Sequence, residues 1–242
     1  MKKFLLLTLF FGRLAFGADF ATELLRASDQ GRGGLNEGIQ WEAQIETFEN
    51  DEQSKREFLV RAKHNDAYVE ALAPAKNKNE IYLFNDRQMW FFKPSLKKPV
   101  SISARQKLSG QAANGDIAST HYARDYNAVL EKTEMINGEK FHVLLLKANS
   151  KNLTYDQIRY WVSDKTKLAG RAEFLTLQGK TFKIGELEYR NKLILQGKTI
   201  AFVSQMKITD AKFNKNKSII KYSKPVIVDH ADALFNVNNL TR

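Results

Sequence analysis

The sequence of 242 residues contains no cysteine and only four prolines and four histidines. Without cysteine the chain can form no disulfide, thiolate zinc site, iron–sulfur cluster, cysteine nucleophile or lipid-modified cysteine. With so few prolines and 13 glycines, collagen-like and Pro/Gly-rich disordered chains are excluded as well. Hydrophobic residues still make up 43% of the chain and aromatic residues 11%, which is enough for a sizeable core.

Catalytic and metal-binding signatures are equally scarce. The sequence has no nucleophile elbow, no phosphate-binding P-loop and no dinucleotide-binding glycine motif. Ser119, His121 and Asp125 fall within seven residues, but catalytic triads are assembled by the fold rather than by neighbours in sequence. We therefore predict no metal, no cofactor and no catalytic residue. An exported enzyme is the weakest of our three functional hypotheses, and the other two, a carrier and a protein-interaction module, need no catalytic residue. The histidines share no metal-ligand spacing and are His64, His121, His142 and His230.

Acidic residues are in the minority, with 27 against 38 basic residues and a net charge of +11. Two stretches are almost free of acid, and each is either a solvated face or a docking surface for anionic lipid or an acidic partner. The candidate docking surface is Lys93, Lys97, Lys98, Arg105 and Lys107. The second stretch is Lys207, Lys212, Lys215, Lys217, Lys221 and Lys224.

Long apolar runs are absent beyond the first residues. Lys2 and Lys3 precede the apolar run Phe4–Phe11, and Ala15-Phe16-Gly17 has small residues at alternate positions. This pattern predicts a signal peptide over residues 1–17, cleaved before Ala18, and export into a bacterial periplasm. No other stretch is long and apolar enough to cross a bilayer. An exported basic protein meets anionic lipid headgroups first, so we expect transient contact with a membrane surface and no nucleic-acid partner.

After the signal peptide, the hydrophobic pattern changes period once. Residues Asp19–Asp29 predict a helix that ends at the glycine-rich residues 31–34. Downstream, alternating segments such as Ile39–Ile45 predict about ten or eleven strands in antiparallel hairpins, in one domain over residues 18–242. Asn137-Gly138, Gln178-Gly179 and Gln196-Gly197 are expected to form two-residue hairpin turns, and a bulge is expected at Gly185.

Two neighbouring predicted strands, Ile81–Phe84 and Gln88–Phe92, are apolar on both faces. Met89 and Phe91 alternate with Trp90 and Phe92, so two apolar environments are needed. Either both sides belong to an ordinary sandwich core, or a strongly curved sheet encloses an apolar cavity that helices close. Periodicity alone leaves both alternatives open.

The second of these strands carries a family resemblance. Asp86 to Lys98, DRQMWFFKPSLKK, followed by Val100-Ser101-Ile102-Ser103, is similar to a strand of the bacterial outer-membrane lipoprotein-sorting proteins, in a divergent branch of the LolA-like periplasmic carriers. Gly115 to Thr120 stands where the second motif of that branch is expected, with Ile117 replacing the usual aromatic residue.

This resemblance implies a half-open antiparallel β-barrel with N-terminal and short lid helices, holding acyl chains in an apolar cavity. Carriers of this family accept lipoproteins from an inner-membrane transporter and deliver them to an outer-membrane acceptor. Our leading hypothesis is therefore a periplasmic carrier of lipoprotein acyl chains or another lipid, and the alternative is a periplasmic protein-interaction or sensor module of the same fold. The candidate cavity residues are Trp41, Phe58, Phe84, Trp90, Phe92, Tyr160, Phe174 and Phe202.

Overall fold

The computed structural model describes residues 12–118 and 120–241. The basic and apolar residues of the predicted signal peptide, residues 1–11, lie outside the described residues, so its cleavage stays a prediction. Helix α1 (Gly12–Gln30) contains the predicted helix over 19–29. It ends where expected, because Gly33 has a φ of 94°, a left-handed conformation that glycine adopts without strain.

The described residues form seventeen strands, more than the ten or eleven expected. Several predicted strands are divided, and short strands occur where the sequence shows no alternation. The first eight are β1 (Ile39–Glu49), β2 (Glu52–Lys63), β3 (Asp66–Ala73), β4 (Ile81–Asn85), β5 (Gln88–Phe92), β6 (Val100–Ile102), β7 (Lys107–Ser109) and β8 (Ala112–Ala113). The others are β9 (Tyr126–Ile136), β10 (Glu139–Ala148), β11 (Gln157–Ser163), β12 (Ala169–Leu175), β13 (Thr181–Glu188), β14 (Asn191–Leu195), β15 (Lys198–Phe202), β16 (Gln205–Asp210) and β17 (Lys217–Ile227).

Thirteen of these strands form one antiparallel sheet. Its order is β6-β5-β4-β3-β2-β1-β17-β16-β13-β12-β11-β10-β9, and β7–β8 and β14–β15 are separate hairpins. Pairing of β1 with β17 joins the first and last strands of the chain in the middle of the sheet. Within the described part of the chain the edge strands β6 and β9 are not paired with each other, so the sheet is not closed. A mainly β, half-open antiparallel barrel is therefore confirmed.

Two of the three predicted turns have the expected conformation. Asn137-Gly138 and Gln196-Gly197 have φ values of 51° and 82°, and of 48° and 76°, which two-residue type I′ hairpin turns require. The turn at Gln178-Gly179 is longer than predicted. Thr176 and Lys180 close it by a backbone hydrogen bond of 2.9 Å.

The expected bulge at Gly185 is wrong. The register between β12 and β13 shifts between Phe174 and Leu175, which leaves Phe182 as the extra residue on β13. Gly185 pairs regularly with Ala172, and a Cβ there would lie 3.3 Å from the Phe174 ring. The glycine therefore makes room for a buried aromatic ring.

Short segments cover the two sides of the sheet. On the concave side, the chain between β6 and β9 forms hairpin β7–β8 and helices α2 (Asn114–Ala118) and α3 (Tyr122–Asp125). We call this hairpin and these two helices the lid. On the other side lie the 3-10 turns Asp232–Phe235 and Val237–Asn239, and a further 3-10 turn is Ala75–Asn77. Among the described residues, no helix is long and apolar enough to cross a membrane.

Candidate functional site

The inner face of the sheet gathers most of the predicted cavity residues. Trp41 and Phe202 lie with their ring centroids 5.7 Å apart, although they come from β1 and the separate β15. Phe174 stacks on Tyr155 with ring centroids 3.9 Å apart. The six predicted residues found in this main core are Trp41, Phe58, Phe84, Tyr160, Phe174 and Phe202.

Trp90 and Phe92 do not share this interior. They pack on the opposite face of the sheet, in a second cluster with Leu83, Phe235 and Leu240. Register explains the separation, because Leu83 pairs with Trp90 and successive side chains of a strand alternate between faces. Their assignment to the interior is therefore wrong, because the predicted facing of β5 is shifted by one residue. The residues of β5 that face the interior are Met89 and Phe91.

The interior is filled by its own side chains. All six inner residues are at most 2% exposed. The two alternatives left open by the sequence are thus both partly right, because the sheet is curved but its concave side holds a packed core. Whether these residues contact a lipid stays a prediction.

The lid closes one side of this interior through polar contacts. Ser218 of β17 accepts the Gln111 N–H at 2.8 Å and donates its hydroxyl to the Ser109 carbonyl at 3.0 Å. Arg56 Nη1 donates to the Leu108 carbonyl at 3.1 Å, and Lys183 Nζ to the Gln111 carbonyl at 2.6 Å. Hairpin β7–β8 is thus held to three different strands by hydrogen bonds rather than by strand pairing.

The second motif of the family resemblance has a structural role in the lid. Asp116 is buried and accepts the Tyr155 hydroxyl at 2.9 Å and the Ala113 N–H at 2.8 Å. Burial raises the pKa of Asp116, and the Lys183 charge opposes that rise. A Cβ on Gly115 would lie 1.8 Å from Thr154 Oγ1, so glycine lets the lid approach the loop after β10.

A buried charged cluster, which the sequence analysis missed, joins α1 to the lid and to the sheet. Asp29 Oδ2 accepts the Ala123 N–H of α3 at 2.8 Å. The Arg32 guanidinium lies 4.2 Å from the centre of the Tyr122 ring, and its Nη1 is 3.5 Å from the Tyr160 hydroxyl on β11. We call these four residues, Asp29, Arg32, Tyr122 and Tyr160, the latch cluster.

Burial shifts the pKa of one member of the latch cluster, Asp29, toward neutral pH. It raises the pKa of Asp29 to about 7, against the opposing effects of the Ala123 N–H and the Arg32 charge. Asp29 and Arg32 were missed because a helix end followed by glycines predicts a solvated turn. The only signal for these two residues in the sequence is that an acid and a base lie close together, separated by Gln30 and Gly31. Such pairs are too common in sequences to indicate burial.

The histidines and the Ser119–Asp125 segment have the following surroundings in the described part of the chain. The described residues contain no cluster of three or more potential metal ligands. Asp125 Oδ1 accepts hydrogen bonds from Arg87 Nε and Arg124 Nε, at 2.9 and 2.8 Å. Ser119 lies outside the described residues, and burial lowers the pKa of His121. His142 contacts Asp164 at 2.8 Å, and His230 contacts the Ile39 carbonyl at 3.2 Å.

The candidate basic docking surface is only partly free. Arg105 forms an ion pair of 2.7 Å with Asp156, and Lys107 one of 2.5 Å with Glu49. Lys93, Lys97 and Lys98 are exposed on the loop between β5 and β6. In the second stretch, three lysines also pair with glutamates of neighbouring strands, namely Lys207, Lys221 and Lys224.

Comparison with known structures identifies the fold. A LolA superfamily protein from Nitrosomonas europaea superimposes with a TM-score of 0.81 at 27% identity, covering 90% of this chain and 98% of its own. A putative outer membrane lipoprotein-sorting protein domain from Vibrio parahaemolyticus matches with a TM-score of 0.76 at 18% identity, over 93% and 100% of the two chains. A DUF1329 family protein from Desulfovibrio piger matches with a TM-score of 0.75 at 20% identity, over 93% and 99%.

Sequence comparison adds the family. No curated protein sequence matches the chain. A family model described as "Uncharacterized protein" matches residues 63–242. The resemblance noted at the strand around Trp90 is confirmed, since the structure has the fold of the lipoprotein-sorting proteins. The chain therefore belongs to the family that this model describes, within the LolA-like fold.

Proposed function

We propose that this protein is a periplasmic carrier that holds the acyl chains of lipoproteins or of another lipid between its curved sheet and its lid, for transfer to the outer membrane. The observation that carries the proposal is an apolar concave face closed by the lid, whose short segments are held to the sheet and to α1 by polar contacts. The export signal expected at residues 1–17 supports the compartment. The names of the similar proteins from Nitrosomonas and Vibrio support the class of cargo.

Hydrophobic burial would supply the affinity without any catalytic group. Each methylene moved from water into an apolar interior contributes about 0.8 kcal/mol. The filled interior must first expand, so cargo binds to an open conformation that is rarely populated in the free protein. The resting structure is then the closed state of the carrier.

Polar contacts at the closure make such opening feasible. The latch cluster and the Ser218 contacts place charged and hydroxyl groups where lid and sheet meet. Groups of this kind regain hydration when they separate, whereas apolar groups do not. Opening along this seam therefore costs less than separating an apolar seam of equal area.

Partners follow from the cargo. A carrier needs a donor and an acceptor, and we propose an inner-membrane transporter and an outer-membrane acceptor in these roles. Release to a more hydrophobic acceptor requires lid movement rather than chemistry. We assign no catalytic residue and no cofactor to this function.

A second candidate is a periplasmic protein-interaction or sensor module. The packed interior favours it, because side chains at most 2% exposed leave no preformed space among them for an acyl chain. In that case the interior is permanent core, and binding occurs on the outer surface.

Native mass spectrometry of the mature protein from periplasm, followed by lipid extraction, separates the two. The carrier hypothesis expects a co-purifying acylated species, or uptake of added fatty acid or phospholipid. Protein that arrives empty and refuses both ligands would contradict the carrier and favour the interaction module.

Variants of the latch cluster sharpen this test. Arg32→Leu removes the cation that lies on the Tyr122 ring, so we expect a fluorescent fatty acid to bind several-fold faster than to the wild type. Arg159→Leu is the matched control, because Arg159 pairs with Glu131 and Glu173 on partly exposed strand surfaces outside the latch cluster. Arg32→Lys keeps the charge without the planar guanidinium and is the milder variant. Equal uptake rates for all four proteins would mean that the latch cluster does not limit opening.

A further inference from the structure

Two neighbouring turns at one end of the main sheet carry exposed apolar side chains between lysines. Leu177 of the β12–β13 turn is 69% exposed, Phe182 at the start of β13 is 37% exposed, and Phe213 of the β16–β17 turn is 57% exposed. We call residues 176–183 and 210–217 the docking turns. The centre of the Phe182 ring lies 6.2 Å from that of the Tyr155 ring, whereas the exposure of Leu177 and Phe213 is not explained by packing.

Strand pairing brings the docking turns side by side. Lys183 of β13 pairs with Asp210 of β16, and the Ala211 N–H donates to the Phe182 carbonyl at 3.0 Å. The three apolar side chains thus come from segments that are joined by backbone hydrogen bonds. The two segments are therefore neighbours in space, although about thirty residues separate them in sequence.

Basic side chains predominate in the docking turns. Their only acid is Asp210, whose Oδ1 accepts the N–H groups of Lys212 and Phe213 at 2.8 Å and so shapes the turn. Lys212 Nζ lies 5.0 Å from the centre of the Phe213 ring. The lysines of the docking turns are Lys180, Lys183, Lys212, Lys215 and Lys217.

Acidic residues lie on two sides of the docking turns, and on the β12 side Glu173 accepts the Thr181 hydroxyl at 3.4 Å. The turn between β1 and β2 contributes Glu49, Asp51 and Glu52 across a depression of about 730 Å³. Glu49 is already paired with Lys107. The basic and apolar surface therefore extends from this depression toward the β12–β13 turn.

We infer that the docking turns bind the surface of an anionic lipid bilayer. Leu177 and Phe213 enter the boundary between headgroups and acyl chains, and the exposed side chains of Lys180, Lys212 and Lys215 lie at the level of the headgroups. Lysine ammonium groups act as point charges that suit diffuse attraction to a charged surface, whereas arginine is preferred for bidentate recognition of carboxylates on a protein. This favours a bilayer over an acidic protein as the partner.

The docking turns are connected to the lid, so a bilayer contact would lie close to the opening of the interior. Lys183 Nζ donates to the Gln111 carbonyl, so one residue connects the docking turns to hairpin β7–β8 of the lid. If the protein is a carrier as proposed, docking places the contact between lid and sheet next to the membrane from which cargo is taken or to which it is delivered. Only this consequence rests on the proposed function. The bilayer contact itself does not depend on cargo binding.

Flotation of the mature protein with phosphatidylcholine vesicles, with and without phosphatidylglycerol, tests the inference. We expect binding only to vesicles that contain phosphatidylglycerol, weakened by salt, because salt screens exposed charges. Lys212→Glu with Lys215→Glu, and separately Leu177→Ser with Phe213→Ser, should each lower binding about tenfold. All four side chains are exposed, so folding should be preserved, and circular dichroism checks it.

Hairpin β14–β15 offers matched controls. Lys192, Lys198 and Ile194 are exposed on it, so Lys192→Glu with Lys198→Glu, and Ile194→Ser, make the same chemical changes elsewhere. These controls should bind vesicles within about twofold of the wild type, as expected for charges outside the contact. Equal losses in controls and docking-turn variants, full binding by the Leu177/Phe213 variant, or no wild-type binding to phosphatidylglycerol would each overturn the inference. Fatty-acid uptake without vesicles should be unchanged in the docking-turn variants, which separates failure of docking from failure of the carrier function.

Discussion

Asp29 is the residue whose environment departs furthest from what its place in the sequence suggests. It lies at the end of α1, yet it is buried and holds the N–H of Ala123. An ionised carboxylate in that position is poorly solvated, which is why burial raises its pKa to about 7. One of the side chains that hold the lid, Asp29, therefore changes charge near neutral pH.

The pKa of Asp29 has a definite consequence for stability. Between about pH 4 and pH 7 the folded protein keeps a proton that the unfolded chain has lost, so this group's contribution to stability falls as pH rises through that window. A shift from 3.8 to about 7 corresponds to about 4 kcal/mol. Asp29→Asn keeps an acceptor for Ala123 but cannot ionise. We expect its Tm, relative to wild type, to rise progressively from pH 4 to pH 7 and then level off.

Asp232→Asn is the control for this titration. The Lys63 ammonium holds the pKa of Asp232 below its usual range, so Asp232 stays ionised in both folded and unfolded chains above pH 5. Its difference in Tm from wild type should not change between pH 5 and pH 8. A pH-independent difference for Asp29→Asn as well would mean that Asp29 is ionised in the folded protein throughout.

At the scale of elements, the C-terminal 3-10 turns cover an apolar face that would otherwise be exposed. Phe235 and Leu240 pack with Leu83, and Trp90 and Phe92 contact the same cluster. Asn85 Nδ2 donates to the Phe235 carbonyl at 3.1 Å, which fixes the turn to the end of β4. The strand that carries the family resemblance is thus a two-sided structural strand, one face in the interior and one under the C-terminus.

Truncating Phe235 tests this cover. Phe235→Ala removes a ring that is 4% exposed, and we expect a loss of about 3 kcal/mol in the free energy of unfolding. Tryptophan emission should shift to longer wavelength, and the shift should vanish in a Trp90→Phe background. Phe213→Ala, at an exposed position, should change stability by less than about 0.5 kcal/mol. An unchanged unfolding free energy for Phe235→Ala would show that the C-terminal turns do not stabilise the sheet.

At the scale of the whole molecule, the central strands and the lid have different bonding. Strands β1 and β17 pair with each other along nearly their whole lengths and with further strands on either side. The lid is attached to the sheet and to α1 through side-chain hydrogen bonds, and the β7–β8 pairing is internal to the lid. Elements with few shared strand pairs open at lower free energy than the central sheet.

Amide hydrogen exchange followed by mass spectrometry measures that difference. We expect lid amides to exchange well before those of β1 and β17, and added fatty acid to change exchange in the lid and α1 more than in the sheet. Lid amides that exchange only with global unfolding would contradict a lid that opens and would favour the interaction module.

Much of the local structure could be predicted from the sequence. Glycine after asparagine or glutamine fixed two hairpin turns, because those positions need φ values above zero. The helix end at residues 31–34 and the alternation of Ile39–Ile45 depend only on near neighbours, and both are present in the structure. The bulge was misplaced because Gly185 serves a packing contact with Phe174, which belongs to another strand.

The sequence by itself determined the absence of cysteine chemistry, the antiparallel β-rich character and the resemblance at the strand around Trp90. Tertiary structure alone decided which side of that strand faces inward, that the interior is packed, and that Asp29 and Arg32 are buried together. It also decided that the turns of Leu177 and Phe213 are neighbours. The physical reason is range: periodicity and turn chemistry act between residues a few positions apart, whereas facing, burial and adjacency depend on register between strands that are distant in the chain.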